Sequence, residues 1–281
     1  MRGFRNRRLE IKTPDQVAAM RRAGLIVGET LEALRDAVRP GVTTAELDAL
    51  AEEQIRSRGA RPNFLGYHGF TGSICASVND EVVHGIPGPR ALRSGDVISI
   101  DCGAVLDGWH GDAAITVPVG GAGAVDTTVS RLLEVTEHAM WAGIAAARLG
   151  GRVGDISHAV ERHVRAAGAY GIVEDYVGHG IGTALHMRPD IPNQGRPGRG
   201  PRLVAGLALA VEPMVTLGSH ACDVLDDDWT VVTADGAWSA HFEHTFALTA
   251  DGLWVLTALD GGEAELTALG ARYGGPRHDG S

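Results

Sequence analysis

Carboxylates stand at the ends of apolar, strand-like runs in this 281-residue sequence. Asp101 ends the run VISID, Glu212 ends LALAVE, and Glu243 lies within HFEHTFAL. A single acid at a strand end is usually a turn or cap residue. A charged carboxylate, however, is rarely buried unless it is paired or binds a metal. Several such acids in one chain therefore predict a cation site.

Asp101 and Asp112 form the most informative pair of acids. The residues between them read CGAVLDGWHG, and the Asp-Gly at 107–108 signals a tight turn. A hairpin centred near 106–107 would place the two acids opposite each other, whereas a turn centred at 107–108 would place them diagonally. In either register they are neighbours on one face, where like charges repel and a bound cation relieves the repulsion. The alternative is a surface hairpin with two solvated acids.

Two histidines follow in a glycine-rich segment. His179 lies between glycines in GHGIG (178–182), and His186 comes seven residues later. Glycines let the backbone and a ligand approach closely, although a lone histidine is more often structural. Four strand carboxylates and one imidazole suit a pair of divalent cations, and this oxygen-rich set favours Mn, Fe, Co or Mg over a thiolate zinc site. Two ions that share a carboxylate activate a water for hydrolysis.

An internal repeat predicts the elements that position these groups. Residues 39–60 and 148–169 share Arg, Gly, Glu and Ala positions, an amphipathic helical period and a stop at glycine. Each stretch opens with a turn and a capping candidate, Thr44 or Asp155. We therefore predict two halves, each with two helices followed by strands, and each with a carboxylate at the end of a buried strand.

The remaining periodicity completes a single α+β domain with pseudo-two-fold symmetry. It predicts helices over 15–38 and 126–148, strands over 73–79, 97–119, 207–217, 229–233 and 241–248, and a long loop over 187–202. The predicted domain covers residues 13–262, with repeats of about 13–120 and 121–250. A basic N-terminal tail (1–12) precedes it, and a C-terminal tail (263–281) follows.

Composition excludes several functional classes. A net charge of −10 argues against a general nucleic-acid binder. Cys75, Cys102 and Cys222 are too few and too scattered for a disulfide scaffold, which predicts a reducing, cytoplasmic location. No apolar run reaches the roughly 18 residues of a membrane helix, and the basic start lacks the apolar core of a secretory signal.

Five motifs together carry a family resemblance. They are NDEVVHGIP (79–87), D-x10-D (101–112), GHGIG (178–182), VEPM (211–214) and EHT (243–245). With these motifs in this order, the sequence resembles type I methionine aminopeptidases over about residues 10–260. The resemblance implies a pita-bread fold, with duplicated helix-helix-strand halves around a curved antiparallel sheet. It also implies metal-dependent hydrolytic removal of the N-terminal methionine from nascent proteins and peptides whose second residue is small.

The resemblance implies a metal site for two divalent ions, drawn from Co, Mn, Fe, Zn and Mg. The five ligands that it assigns are Asp101, Asp112, His179, Glu212 and Glu243. In the family, the residues matching Asp112 and Glu243 bridge the two ions. The residue matching Asp101 chelates one ion, and the residue matching His179 binds the other. Asn79 and Ser239 match residues whose backbone carbonyls hold a monovalent cation.

Catalytic roles and a substrate pocket follow from the same resemblance. His84 matches a histidine that contacts the N-terminal amine or the scissile amide, and His186 matches one that hydrogen-bonds the substrate carbonyl. Glu212 also matches the group that transfers the proton. The pocket for the methionine side chain is implied to be Tyr67, Phe70, Cys75 and Trp229, with Phe64 nearby. For each pocket residue the alternative is plain core packing, and for Phe64 the two readings weigh equally.

Three residues depart from the family pattern. Ala113 stands where a hydroxyl residue is common, Leu185 where a bulkier residue is common, and His241 where Gln is frequent. None of the three removes a ligand. They leave the reaction class in place and bear on the activity level and the metal preference.

Two other readings compete with the methionine enzyme. An Xaa-Pro aminopeptidase or prolidase-like enzyme shares the five ligands, but usually carries a further N-terminal domain, and NDEVVHGIP favours the methionine enzyme. A catalytically inactive pita-bread binding protein would lack several ligands, whereas this chain keeps all five. The sequence also lacks a Cys/His-rich zinc segment, and its short step from His179 to Glu212 has no room for the type II insertion. A bacterial-type enzyme fits best.

The implied partner is a peptide or nascent chain with an N-terminal methionine. We expect no membrane, no specific nucleic acid, and a monomer, which is the family default. The basic start could contact ribosomal RNA near the nascent-chain exit, and the alternative is a solvated tail. Its basic residues are Arg2, Arg5, Arg7, Arg8 and Lys12.

Overall fold

Two helices followed by strands occur twice along the chain. The computed structural model describes residues 9–276. The helices are α1 Pro14–Ala37, α2 Thr44–Ser57, α3 Thr127–Ala146, α4 Val153–Ala167 and α5 Glu263–Ala268, with single 3-10 turns at Tyr67–Gly69 and Ala122–Ala124. The strands are β1 Arg61–Pro62, β2 Ile74–Val78, β3 Glu81–Val83, β4 Val97–Leu106, β5 Trp109–Pro118, β6 Gly171–Ile172, β7 Gly178–Gly180, β8 Met187–Ile191, β9 Ala208–Val211, β10 Met214–Thr216, β11 Cys222–Val224, β12 Val231–Thr233, β13 Ser239–His241, β14 Glu243–Leu248 and β15 Leu253–Val255.

A nine-stranded sheet forms the centre of the molecule. Its main path runs β1-β4-β5-β14-β9-β7-β8, with β2 added to β4 and β15 added to β14. Two three-stranded sheets, β13-β10-β6 and β11-β12-β3, lie beside it. All pairings between these strands are antiparallel. The predicted α+β class and antiparallel sheet are therefore confirmed.

The helix starts differ by a residue or more from the predicted caps. Thr43, not Thr44, is the N-cap of α2, because its backbone is extended and its side chain accepts the N–H of Glu46. In α4, Asp155 is the third helical residue, and its carboxylate accepts the backbone N–H of Arg152. The hydroxyl of Thr43 and the carboxylate of Asp155 thus each accept an N–H group that the start of a helix leaves free.

The β4–β5 hairpin decides the register of the paired acids. Its turn lies at 107–108, where both residues have positive φ. Asp101 therefore pairs with Ala114, and Asp112 pairs with Gly103. Of the two predicted registers, the diagonal one is correct. A Cβ at Gly103 would lie 2.9 Å from Asp112 Oδ1, so glycine leaves room for this carboxylate.

The GHG motif forms β7, which lies between β9 and β8. A Cβ at Gly178 would overlap the carbonyl oxygen of Ala210, and one at Gly180 would overlap that of Arg188. The prediction of an uninterrupted loop over 187–202 is wrong at its start, because β8 covers its first five residues. Its Pro189 is tolerated because β8 ends the strand order, where a missing backbone N–H breaks no ladder.

The described part of each predicted tail packs against the body. At the C-terminal end, α5 covers residues 263–268 and buries Leu266 completely, so a tail that starts at 263 starts too early. At the N-terminal end, Lys12 is 5% exposed and its backbone N–H bonds to Gly206 O. A basic, solvated tail therefore does not extend to Lys12. The other basic residues of that prediction, Arg2, Arg5, Arg7 and Arg8, lie outside the described residues.

Helix α1 packs directly on the sheet at a pair of glycines. A Cβ at Gly111 of β5 would lie 2.9 Å from the backbone of Gly24 in α1. This close approach lets α1 pack against both strands of the β4–β5 hairpin. Among the helices of residues 9–276, none has both the length and the apolar character to cross a bilayer.

Candidate metal centre and active site

The acids form a row across neighbouring strands. Asp101 on β4 and Glu243 on β14 both pair with Ala114 on the intervening β5. The His244–Val211 pairing, continued by one residue, brings Glu212 opposite Glu243. Residues directly opposite each other in an antiparallel sheet share one face. The row of acids is therefore a consequence of strand register, and the small Ala114 leaves space between them.

Each acid keeps one oxygen without a hydrogen-bond partner within residues 9–276. These buried atoms are Asp101 Oδ1, Asp112 Oδ1, Glu212 Oε1 and Glu243 Oε1. An unsatisfied buried carboxylate oxygen is costly, and four of them in one place have no structural explanation within the protein. Oxygen atoms arranged in this way fit a divalent cation, which satisfies them and offsets their mutual repulsion.

Burial and mutual repulsion oppose ionisation of this cluster. Burial raises the pKa of Asp101 to about 7. Burial also raises the pKa of Asp112 well above its usual value, and the charges of Glu243 and Asp101 add to the effect. The pKa values of Glu212 and Glu243 are raised for the same reasons. The metal-free cluster thus holds protons that a cation would displace.

His179 offers a nitrogen to the same cluster. Its Nδ1 lies 3.0 Å from the carbonyl oxygen of Gly180, which can only accept, so Nδ1 carries the proton and Nε2 presents its lone pair. Nε2 lies 3.4 Å from Glu212 Oε1 and 3.9 Å from Asp112 Oδ2. Burial lowers the pKa of His179 to about 3, which keeps the imidazole in its neutral, ligating form. A backbone carbonyl that orients the ring in this way is typical of metal-binding histidines.

Two overlapping groups of side chains have the spacing of metal ligands. Asp112, His179 and Glu243 form one group, and Glu212, His241 and Glu243 form the other. In each group the ligand atoms lie within 4.8 Å of one another. Glu243 belongs to both groups, as expected of a shared carboxylate. Asp101 belongs to neither, but it lines the same cavity as the other four residues.

A cavity of about 340 Å³ opens directly on the acid row. All the predicted pocket residues line it: Phe64, Tyr67, Phe70, Cys75 and Trp229. Cys75 pairs with Asp101 across β2 and β4, so the pocket and the acids share one face of the sheet. The rings of Phe70 and Trp229 meet edge to face at 5.0 Å. The pocket therefore has apolar and sulfur-containing walls beside a charged floor.

The two predicted catalytic histidines face the same cavity. His84 has a left-handed backbone (φ 60°) and lies edge-on to Tyr176, with ring centroids 5.3 Å apart. His186 lies 4.4 Å from His179 between ring centroids, and its Nδ1 is 2.8 Å from the Tyr67 hydroxyl. Burial lowers the pKa of His84 to about 4 and also lowers that of His186. Both rings are therefore neutral near pH 7 and can exchange hydrogen bonds with a substrate.

Two residues that support the site, Thr245 and Lys12, could not be identified from the local periodicity of the sequence. Thr245 Oγ1 donates to the carbonyl oxygen of Asp112 at 2.8 Å and so ties β14 to β5 behind the acids. This residue belongs to the EHT motif, which is the only hint of its role. Lys12 donates from Nζ to Ile181 O at 2.5 Å, close to the segment that leads to His186. The sequence-based reading of Lys12 as a tail residue missed this contact.

The structure also shows where the remaining residues singled out in the sequence lie. Asn79 and Ser239 are adjacent, and the N–H of Ser239 donates to Asn79 O at 2.9 Å. The monovalent cation there stays a prediction. Ala113 and Leu185 are both buried, and Leu185 packs in the apolar cluster that contains Phe64 and Phe70.

Residues 18–250 match the family described as metallopeptidase family M24. The methionine aminopeptidase 1 of Mycobacterium tuberculosis is 53% identical over 252 residues, which are 88% of this chain and 94% of that protein. The chain belongs to metallopeptidase family M24. Membership accounts for the buried acids and the histidine, because a metallopeptidase needs ligands for a divalent metal.

Solved structures of this family share the fold. The methionine aminopeptidase of Rickettsia prowazekii superposes with a TM-score of 0.86 at 41% identity, covering 89% of this chain and all of that chain. The prolidase of Pyrococcus furiosus has a TM-score of 0.70 at 20% identity and is covered over 65% of its length. The predicted pita-bread fold is confirmed. At that identity, the prolidase shares the fold alone with this M24 chain.

Proposed function

We propose that this M24 peptidase is a type I methionine aminopeptidase, which removes the N-terminal methionine from peptides and nascent chains with a small second residue. The close relatives at about half identity carry the name methionine aminopeptidase. The observation that carries the proposal within this chain is the pairing of Cys75 with Asp101. It sets the pocket, with its aromatic and sulfur-containing walls, immediately beside the acid row, which is where a methionine next to its scissile bond has to lie.

Divalent ions would be held by the four acids and the one imidazole of this cavity. The proposed ligands are Asp101, Asp112, His179, Glu212 and Glu243, which line it together. Two ions fit the donor set because Glu243 belongs to two ligand groups. When bound, divalent ions supply Lewis acidity to the substrate carbonyl and lower the pKa of water. The oxygen-rich set favours Mn, Fe, Co or Mg.

The chain's own groups orient the substrate and move the proton. The methionine side chain packs against the rings of Phe70 and Trp229, which line the cavity together. The hydroxyl of Tyr67 hydrogen-bonds to Nδ1 of His186. Nε2 of His186 is then free to donate a hydrogen bond to the carbonyl oxygen of the substrate as that oxygen gains negative charge. Glu212 takes the proton of the attacking water on a carboxylate oxygen and returns it to the leaving nitrogen. His84 holds the scissile amide.

The rest of the peptide leaves through a wider groove. This groove has a volume of about 1630 Å³ and shares Tyr67, His179 and His186 with the cavity. We place the enzyme in the cytoplasm, where free Cys75, Cys102 and Cys222 persist as thiols. A monomer is the proposed state. A ribosome contact would rest on residues before Leu9, since Lys12 is buried.

A peptide-release assay on metal-stripped protein tests the proposal. Met-Ala-Ser, Met-Leu-Ser and Ala-Pro-Ala are compared with Mn, Co, Fe, Zn or no metal added. We expect metal-dependent release of methionine from Met-Ala-Ser alone. Cleavage of Ala-Pro-Ala instead would move the protein to the proline-specific branch. Failure to cleave any peptide, in protein shown to be folded, would refute the enzyme and favour a binding protein.

A further inference from the structure

His241 is fixed by its backbone at the edge of the metal centre. It ends β13, two residues before Glu243, and pairs with Met214 of β10. Thr116 Oγ1 donates to the carbonyl oxygen of His241 at 2.8 Å, and the same hydroxyl accepts the backbone N–H of His241 at 2.9 Å. Both backbone groups are therefore satisfied. His241 is 1% exposed, and it lines the cavity beside the acids.

The ring nitrogen Nε2 of His241 has no hydrogen-bond partner in the described structure. A structural histidine in a core normally has its ring nitrogens satisfied, because an orphaned buried nitrogen costs free energy. Two further orphaned atoms, Glu212 Oε1 and Glu243 Oε1, belong to the neighbouring acids. Ligand atoms of these three residues lie within 4.8 Å of one another.

This spacing is close to that of ligands on a common ion. Nitrogen and oxygen ligands lie about 2.0–2.2 Å from a transition metal, so two of them are at most about 4.4 Å apart. Side-chain rotations would therefore place one ligand atom from each of the three residues on a single ion. One imidazole is then available to each of the two ligand groups, His179 in the first and His241 in the second.

We propose that His241 is a sixth ligand of this metal centre and binds through Nε2 to the ion held by Glu212 and Glu243. The proposal rests on the metal centre of the proposed peptidase and assigns a ligand that its family resemblance does not supply. An added imidazole favours metals late in the first row, because nitrogen ligands suit Co, Ni and Zn better than Mn or Mg. The centre therefore discriminates against Mn more strongly than a centre with one imidazole.

Cobalt titration of metal-stripped protein tests this assignment without an activity readout. Wild type, His241→Gln and His244→Gln are compared by calorimetry, by the visible absorption of bound Co²⁺, and by X-ray absorption counts of imidazole ligands. His244 is the matched control. It immediately follows Glu243, but its Nδ1 lies 2.8 Å from Thr257 Oγ1 and its ring packs on Trp141. Circular dichroism establishes that each variant is folded.

We expect His241→Gln to lose about tenfold or more in Co²⁺ affinity at one site, with a smaller loss for Mn²⁺. Its Co²⁺ spectrum should change, and its imidazole count should fall by one, whereas His244→Gln should match wild type in both. An unchanged spectrum and count in His241→Gln would overturn the proposal, even if its turnover fell. Failure of wild type to release methionine would instead refute the proposed function. The cobalt titration would still test the assignment of His241 as a ligand, because it does not depend on activity.

Discussion

Replacement of Lys12 by Met tests whether the N-terminal segment holds the active-site loop. The Lys12 ammonium donates to Ile181 O at 2.5 Å and lies 3.3 Å from Glu10 Oε1. Glu10 in turn accepts from the N–H of Thr183 at 3.2 Å. These contacts bind residues 181–183 to the start of the chain, three residues before His186. Burial lowers the pKa of Lys12, and the charge of Glu10 opposes this shift.

The expected loss follows from the burial of the two partners. A hydrogen bond from a charged donor to a buried acceptor contributes about 1.5–3 kcal/mol. The ion pair adds less, about 0.5 kcal/mol, because the Glu10 side chain is 26% exposed. Apolar burial of the Met side chain offsets about 1 kcal/mol. The net loss is about 2 kcal/mol, which corresponds to a Tm lower by about 4–8 °C in a domain of this size.

Arg22→Met provides the matched control. Arg22 pairs with Asp107 at 3.2 Å, but the two side chains are 57% and 70% exposed. Loss of such a pair costs less than about 1 kcal/mol. Thermal unfolding in EDTA and steady-state kinetics with Met-Ala-Ser measure both variants. We expect Lys12→Met also to lower kcat about tenfold, because a small displacement of His186 costs rate.

Two results would refute this reasoning at different points. Equal Tm values for Lys12→Met and Arg22→Met would show that the buried contact contributes no more than a surface pair. A lower Tm with an unchanged kcat would show that the N-terminal segment stabilises the fold but does not position His186.

The other predictions concern the metal centre and the pocket. Asp112→Asn should lose activity and weaken Mn²⁺ binding in calorimetry by at least about 100-fold, and retention of both would contradict its role as a shared ligand. His186→Ala should lower kcat by about 100-fold or more with near wild-type metal content by atomic emission, and equal loss of metal would make His186 a ligand. Trp229→Ala should raise KM for Met-Ala-Ser about tenfold at similar kcat, and an unchanged KM would remove Trp229 from the pocket. The pKa of Asp101 is raised to about 7 from 3.8, so the metal-free fold is most stable below pH 3.8 with respect to this group and loses stability as the pH rises through 7. Mn²⁺ should therefore raise Tm more at pH 8 than at pH 5 in thermal-shift measurements, and an equal gain would contradict the buried acid cluster.

Local patterns in the sequence predicted most of the fold and all of the proposed ligands that the family resemblance assigns. The apolar runs that lead to Asp101 and Glu212 are visible from composition and period alone, because burial on both faces leaves long apolar runs. The prediction that the strand ends at Asp101 is wrong, since β4 continues to Leu106. The glycines around His179 were equally visible, although only the structure gives the reason for them. They stand where a Cβ would overlap the carbonyl oxygens of Ala210 and Arg188.

The sequence narrowed the register of the β4–β5 hairpin to two alternatives but could not select between them. The Asp-Gly at 107–108 allowed two hairpins, and the positive φ of both turn residues selects the one that pairs Asp101 with Ala114. Strand β8 was missed because its Pro189 signals a loop, and only its place at the end of the sheet makes a proline acceptable there.

Contacts between distant parts of the chain were decided by tertiary structure alone. Lys12 reads as the end of a basic tail, yet it bonds to Ile181, 169 residues away. His241 reads as a substitution at a position where Gln is frequent, yet its orphaned nitrogen lies beside Glu212 and Glu243. Periodicity reports which face of an element is buried. It carries no information on which buried groups meet, because that depends on how the strands pair and how the termini pack over them.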